Sequence, residues 1–172
     1  LVLLPLLASG RPRAAWEAHL RSYREIRRNP KALISLAYHL EYLALVGRVD
    51  RGLELLRRHL SWLDQAESAY VLLSALRGMS LVLREAERAG RGEEALGVEV
   101  PAADLWYPLP GLEASTTISR VYAEMTGWAR RLAQQFDMRN GNSTISDHLE
   151  RSLARAAFDA APGAVHGQAR LG

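Results

Sequence analysis

The chain has 172 residues, of which 48% are hydrophobic, so it is long enough to bury a substantial apolar core. Leu, Ala, Arg and Glu dominate while Val, Ile and Phe are few, and this composition predicts an all-α protein. The net charge is +3, and 21 Arg and one Lys are interleaved with 19 acidic residues, which argues against a nucleic-acid-binding surface. Cys is absent, which excludes disulfides, thiol catalysis and cysteine metal sites and fits a cytoplasmic location.

The first ten residues, LVLLPLLASG, are apolar but too short to span a bilayer, which takes about 20 apolar residues. They have no basic n-region and no small-x-small cleavage pattern, so they do not predict a signal peptide. We therefore expect no membrane partner, and we interpret the stretch as part of a helix that begins upstream in a longer protein.

Two amphipathic helices are predicted between Gly10 and Gly47. The first follows Gly10 and is ended by Asn29 and Pro30, because Pro cannot continue a helix. The second opens at Pro30, where Pro is tolerated at the first helical position, and is stopped by Gly47.

Two more helices are predicted before Gly90. The third follows Asp50, which we expect to cap it, and finishes at Asp64. The fourth spans residues 65–89, with Gly78 in its middle, and Gly90 ends it.

Two stretches, GRVDRGLELL (47–56) and GRGEEALGV (90–98), both begin with Gly-Arg. Gly10, Gly47 and Gly90 close every second helix, and Gly suits this place because helices commonly exit through a left-handed residue. Five residues after each of these glycines stands a small residue, which lets the next helix approach closely: Ala15, Gly52 and Ala95. The recurrence predicts stacked helix pairs that share one core.

At these residues the chain resembles the tetratricopeptide repeat family, whose pairs carry Gly-Asp or Gly-Arg at the turn and a small residue five positions later. The resemblance covers residues 1–97 and implies an α-solenoid of antiparallel helix pairs coiled as a right-handed superhelix. The repeats are degenerate, because Leu40 and Leu83 replace a small residue and Asp64 replaces the terminal Pro. RHLSWLD, LWYPLP and FDMRNGN are also similar to the C-terminal part of uncharacterised actinobacterial proteins of this family, a similarity that implies no activity.

The helical pattern breaks at residues 98–114, where three prolines exclude a helix and an extended connector is expected. Two further amphipathic helices, separated by Asn140 and Gly141, are predicted within residues 115–158 and would form a C-terminal helical cap. Residues 159–172 have the composition of a disordered tail.

The resemblance also implies a concave groove lined by the first helix of each pair. One pair places Glu41 and Leu45 in this groove. The next pair places there Arg77, Ser80, Arg84, Glu87 and Arg88. Because Arg77, Arg84 and Arg88 share a helical face, they predict a site for an acidic, carboxylate-bearing protein segment; the alternative is a solvated arginine face.

LWYPLP places Trp106 and Tyr107 in a Pro-bounded strip that a helix cannot hold. Two interpretations stay open. The strip plugs the end of the core where a second helix is missing, or it forms an exposed patch for a partner.

No motif predicts a catalytic, cofactor or metal site. His19, His39 and His59 recur every 20 residues, but on three successive helices and without the i,i+4 pairing of a helical metal site. We interpret each as a partly buried side chain with a backbone or carboxylate partner. An enzyme would require a pocket that joins His59 to Asp64 and Glu67.

The sequence therefore predicts a non-catalytic scaffold that binds a protein or peptide segment. The alternative is a ligand- or peptide-sensing domain of a larger regulator, with the ligand in the same groove. The identity of the partner and self-association stay open at this point.

Overall fold

The computed structural model describes residues 2–104 and 107–158. Most of these residues are helical, which confirms the all-α prediction at that level. The helices in chain order are α1 (Leu3–Ala8), α2 (Pro12–Ile26), α3 (Leu33–Leu45), α4 (Val49–His59), α5 (Ala69–Ala86), α6 (Ile118–Asn140) and α7 (Thr144–Ala154). Two short strands follow α5, β1 (Ala103–Asp104) and β2 (Pro108–Leu109). None of the described helices is long and apolar enough to cross a membrane.

The three glycine turns have the predicted left-handed backbone. The φ angles are +72° at Gly10, +71° at Gly47 and +82° at Gly90. The small residues that follow the first two turns are buried, and a Cβ on Gly52 would lie 3.0 Å from Val82 Cγ1. Ala95 differs, because it is exposed and lies outside any helix. The glycine turn therefore connects two packed helices at Gly10 and at Gly47, whereas the turn at Gly90 leads into non-helical chain.

Helix α5 lies at the centre of the fold and packs against α3, α4, α6 and α7. Its contact with α3 is close because Gly78 removes a side chain at the crossing. A Cβ at Gly78 would lie 2.6 Å from the backbone oxygen of Ala37, well inside van der Waals contact. The glycine in the middle of the predicted long helix is thus explained by backbone-to-backbone packing.

Several helix ends differ from the prediction. Helix α5 begins at Ala69, because Ser68 caps it and its hydroxyl accepts a hydrogen bond from the Val71 N–H. Asp50 lies in the first turn of α4 and does not cap it. It pairs instead with Arg91, whose Nη1 is 2.5 Å from Asp50 Oδ1.

The predicted extended connector is part of an antiparallel ribbon that begins earlier and ends later than residues 98–114. Its ladder keeps one register from the bridge Ala95–Thr117, through Val100–Leu112, to the pairing of β1 with β2. The ribbon contacts the helices on both sides. Arg57 of α4 donates to the Leu96 carbonyl at 2.7 Å, and Tyr107 donates to a carbonyl of α6. The ribbon therefore joins α5 to α6 and is bonded to both α4 and α6.

The chain after α7 turns back across the fold. Helix α7 ends at Ala154, four residues before the predicted end, and residues 155–158 are not helical. The Phe158 N–H donates to the Leu45 carbonyl at the end of α3, at 2.7 Å. The predicted tail at 159–172 lies outside the described residues.

Candidate functional site

The residues predicted to line a groove lie on adjoining surfaces of α3 and α5. We call the set Glu41, Leu45, Arg77, Ser80 and Arg84 the α3–α5 face. Leu45 and Ser80 are completely buried, Arg84 is 4% exposed and Glu41 is 6% exposed. These residues therefore do not form an open groove in this structure. The other two predicted residues, Glu87 and Arg88, are exposed at the end of α5.

The cover on the α3–α5 face is the chain's own C-terminal segment, which comprises α7 and residues 155–158. Arg84 Nη1 donates to the Leu153 carbonyl at 2.5 Å, where α7 ends. Two further contacts are made by residues 155–158: the hydrogen bond from the Phe158 N–H to Leu45, and an ion pair between Arg155 and Glu41 at 3.7 Å. The face thus holds a peptide segment by main-chain and charge contacts.

The arginines of the face are already paired with acidic side chains. Arg77 Nη2 lies 3.5 Å from Glu41 Oε2, and Arg84 Nε donates to Glu85 Oε1 at 2.8 Å. Arg88, although exposed, pairs with the same Glu85 oxygen at 3.2 Å. Because these cations have partners within the chain, they present little unpaired positive charge to an acidic segment.

Packing between the C-terminal segment and α5 is incomplete. Three buried polar atoms of α5, Arg77 Nε, Ser80 Oγ and Arg84 Nη2, have no hydrogen-bond partner, although Arg84 Nη2 lies 2.7 Å from Glu85 Oε1 in an ion pair. A cavity of about 80 Å³ lies beside Arg77, between α5, α6 and α7, and is lined by Tyr70, Leu73, Ser74, Arg77, Phe136, Ile145, His148 and Leu149. Unpaired buried polar groups and voids both cost stability. The interface is therefore weaker than its buried position suggests.

Asp137 positions the C-terminal segment. It lies in the last turn of α6, and its two carboxylate oxygens accept hydrogen bonds from the N–H groups of Ile145 and Ser146, each at 2.9 Å. Gly141 has a φ of +69° and reverses the chain between α6 and α7, as predicted from Asn-Gly. Asn142 also accepts from the Thr144 N–H. The Asn-Gly turn between α6 and α7 is thus a helix-capping turn.

Tyr107 is 8% exposed, and its hydroxyl donates to the Trp128 carbonyl of α6 at 3.1 Å. This geometry places Tyr107 in the core rather than on an exposed patch. Trp106, the other residue predicted for that patch, lies outside the described residues.

The three recurring histidines form a second buried cluster, between α2, α3 and the end of α4. His19 Nδ1 and His39 Nδ1 are 2.9 Å apart, and His59 Nε2 is 2.9 Å from the Tyr23 hydroxyl. His19 and His39 are completely buried, and His59 is 2% exposed. Their partners are another histidine and the hydroxyl groups of Ser22 and Tyr23, and not the backbone or carboxylate groups expected from the sequence.

The hydrogen bonds assign the tautomers of this pair. Ser22 donates its hydroxyl proton to the Ala18 carbonyl at 2.7 Å, so toward His39 Nε2, at 3.4 Å, it acts as an acceptor. His39 therefore carries its proton on Nε2, and His19 donates from Nδ1 to His39 Nδ1. This arrangement leaves the buried His19 Nε2 as an unprotonated atom without a partner, which costs less than a buried N–H without an acceptor.

Burial keeps these imidazoles neutral. Burial lowers the pKa of His19 to about 4, with a further contribution from Arg51 and Arg48. Burial and the neighbouring His19 lower the pKa of His39 to about 3. Burial and Arg58 lower the pKa of His59 to about 4. The cluster is a neutral polar part of the core at physiological pH.

The described residues do not gather a set of metal-ligating side chains around these histidines. No group of three or more His, Cys, Asp or Glu side chains among them is arranged to hold a metal ion. Asp64 and Glu67, the carboxylates that would have joined His59 in a pocket, are both exposed, while His59 is buried against Tyr23 and Trp62.

The cover over the α3–α5 face is the feature that the sequence did not reveal. The only local signal was the spacing of Ile145, Leu149 and Leu153, which predicts an apolar stripe on α7 but not the surface that it contacts.

A scan against protein-family models and searches of curated proteins and of solved structures found no match for this chain.

Proposed function

We propose that this chain is a non-catalytic helical scaffold that binds a segment of a partner protein on the α3–α5 face. In this proposal the architecture is a solenoid of the tetratricopeptide type, with α1/α2 and α3/α4 as complete pairs and the ribbon in place of the second helix after α5. The left-handed glycine turns and the close packing of α3 on α5 support it. A right-handed superhelix is part of the same proposal.

One observation carries the proposal: the α3–α5 face already holds a peptide segment. Arg84 binds a main-chain carbonyl and Leu45 binds a main-chain N–H, which are contacts that any extended or helix-ending segment can make. Glu41 adds a charge contact that depends on the side chain of the bound segment. The face therefore combines general affinity for backbone with one element of selectivity.

The experiment is a selection of random 15-residue peptides displayed on phage against the full chain, followed by amide hydrogen exchange of the complexes. We expect exchange in α3 near Leu45 and in α5 near Arg84 to stay slow when a selected peptide is bound, because the peptide covers the surface that the chain's own segment covers in its absence. Exchange in α7 should become faster, since a bound peptide takes its place.

The matched control is Arg88→Glu, which reverses an exposed charge in the turn that directly follows α5. It should leave the affinity of the selected peptides within twofold of the wild-type value. Failure to select any binder, or protection of a surface away from α3 and α5, would remove the α3–α5 face as the functional site.

The cavity beside Arg77 favours a second candidate function, the sensing of a small ligand. Its volume of about 80 Å³ admits a molecule of only a few non-hydrogen atoms, since a water molecule takes about 30 Å³ in the liquid. Arg77 and His148, whose side chains are 3.2 Å apart, would supply hydrogen bonds to a carboxylate. Millimolar propionate should then raise the melting temperature of the wild-type chain and not that of Arg77→Met.

A further inference from the structure

We infer that the C-terminal segment occupies the place of the partner, and that the partner segment carries the same chemistry. That chemistry is a short amphipathic helix with two leucines four residues apart, followed by a non-helical stretch that contains an arginine. This inference rests on the proposed function, and it adds the kind of partner and its competitor within the chain.

The C-terminal segment displays the complementary features. Leu149 and Leu153 are its most buried side chains, at 2% and 6% exposure, and they follow one another on a single face of α7. Arg155 brings a cation to within 3.7 Å of Glu41 and lies 5.6 Å from the centre of the Phe158 ring. Two leucines and one cation thus define what the face accepts, because the Phe158 side chain is 38% exposed and only its main-chain N–H is bonded to the face.

Glu41 determines the sign of the charge that the α3–α5 face accepts from a bound segment. Its side chain is only 7% exposed and is shared by Arg77, at 3.5 Å, and Arg155, at 3.7 Å. A buried carboxylate needs compensation by opposite charge and hydrogen bonds, and an acidic segment would instead bring a second negative charge beside it. The partner segment is therefore basic at this position, in contrast to the acidic segment expected from the arginines alone.

Helix α7 packs more extensively on α6 than on α5. On the α6 side it is held by the capping hydrogen bonds of Asp137 and by an ion pair of Arg130 with Glu150, whose side chains are both about half exposed. Exposed ion pairs contribute little stability. Underneath, the cavity and the unpaired Arg77 Nε and Ser80 Oγ show a poor fit. A partner that fills the cavity and satisfies these atoms binds the face better than the chain's own segment does.

The tether gives the chain's own segment a competitive advantage. A segment joined by a short turn acts at an effective concentration in the millimolar range, so an untethered segment of equal chemistry displaces it only weakly. The C-terminal segment therefore acts as an internal competitor, and only a better-fitting partner, or one present at high local concentration, opens the face.

The experiment measures the binding of a fluorescein-labelled peptide of residues 144–158 to the full chain by fluorescence anisotropy. Leu153→Asp in the chain places a charge in a buried position and releases the internal competitor, while the peptide keeps Leu153. We expect the peptide to bind this variant at least tenfold more tightly than it binds the wild-type chain. The matched control, Arg151→Glu on the exposed side of α7, should bind it as weakly as the wild type does.

Charge recognition is measured with a second peptide that carries Arg155→Glu. It should bind the Leu153→Asp chain at least tenfold more weakly than the natural peptide, and Glu41→Gln in the chain should remove most of this difference. Helical circular dichroism and the urea midpoint verify that each variant folds. If Leu153→Asp does not fold, Arg155→Glu in the chain replaces it as a milder way to release residues 155–158.

The inference is overturned if the peptide binds the wild-type chain and the Leu153→Asp chain with equal affinity. It is also overturned if Arg155→Glu in the peptide does not change its affinity. Dimerisation of the wild-type chain by exchange of α7, detected by light scattering, overturns the assignment to a separate partner. Selected peptides of other chemistry that protect α3 and α5 leave the proposed function standing while this inference falls.

Discussion

Mild acid is expected to destabilise this protein through its buried histidines. An unfolded histidine has a pKa of about 6.5, whereas burial lowers the pKa of His19 and His59 to about 4 and that of His39 to about 3. Between these values the unfolded chain binds protons that the folded chain does not. The free energy of unfolding therefore falls as the pH drops below 6.5, and it continues to fall until the folded-state values are reached.

The size of the effect follows from the pKa differences. A pH of 5 lies about 1.5 units below the unfolded pKa of each imidazole and still above its folded pKa. For each histidine this lowers the free energy of unfolding by about 2 kcal/mol relative to neutral pH. The three together lower the free energy of unfolding by about 6 kcal/mol, within the range of the whole stability of a domain of this size. Most carboxylates titrate below pH 5, so their contribution is small in this window.

The assay is urea unfolding followed by circular dichroism at 222 nm, at pH 7, 6 and 5. His59→Gln is the test variant, because its side-chain oxygen is still able to accept from the Tyr23 hydroxyl while the titrating group is gone. In this variant the loss between pH 7 and pH 5 should shrink by about one third.

A loss of less than about 1 kcal/mol between pH 7 and pH 5 would refute the reasoning. Such a result would mean that protons reach the cluster in the folded state without breaking its contacts, contrary to the burial and pairing of His19 and His39.

Three further predictions concern packing, capping and the ribbon. Gly78→Ala should lower the free energy of unfolding by about 1–3 kcal/mol in urea titrations, because its Cβ meets the Ala37 oxygen. The control is Gly127→Ala in α6, where the added Cβ meets only the end of a flexible arginine side chain, and it should raise the free energy of unfolding by up to about 1 kcal/mol. An equal loss of stability in the Gly78→Ala and Gly127→Ala variants would contradict the packing argument. Asp137→Ala should speed amide exchange of Ile145 and Ser146 at least tenfold, since both lose their acceptor, and unchanged exchange would exclude the capping role. Tyr107→Phe should cost about 1 kcal/mol in the same urea assay through the lost bond to the Trp128 carbonyl; no loss would show that water satisfies the carbonyl equally well.

Helical periodicity predicted most of the helical fold because each helix carries an apolar stripe that repeats within its own sequence. The turns at Gly10, Gly47 and Gly90 were also predicted from local sequence, because the left-handed residue that ends a helix is commonly a glycine. The ribbon also left a local signal: Leu96, Val98 and Val100 alternate with a period of two, as in a strand. That signal is short, and the nearby prolines favoured an irregular connector.

The candidate site was predicted only in part because burial depends on distant segments. Arg84 reads as a surface residue from its charge and its place in the helix, yet it is covered by a segment that begins 60 residues later in the chain. The contact of His19 with His39 likewise depends on how α2 lies on α3. Spacing along the chain predicted which helix carries each residue, but not which residues meet.

The glycine contact between α3 and α5 has a mechanical consequence. With Gly78 against the Ala37 backbone, the two helices interlock at one point, and sliding one along the other would drive flanking side chains into main-chain atoms. Helices α3 and α5 therefore move together as one rigid unit. Movement of α7 relative to this pair would instead require rotation at Gly141, the left-handed residue where the chain reverses between α6 and α7.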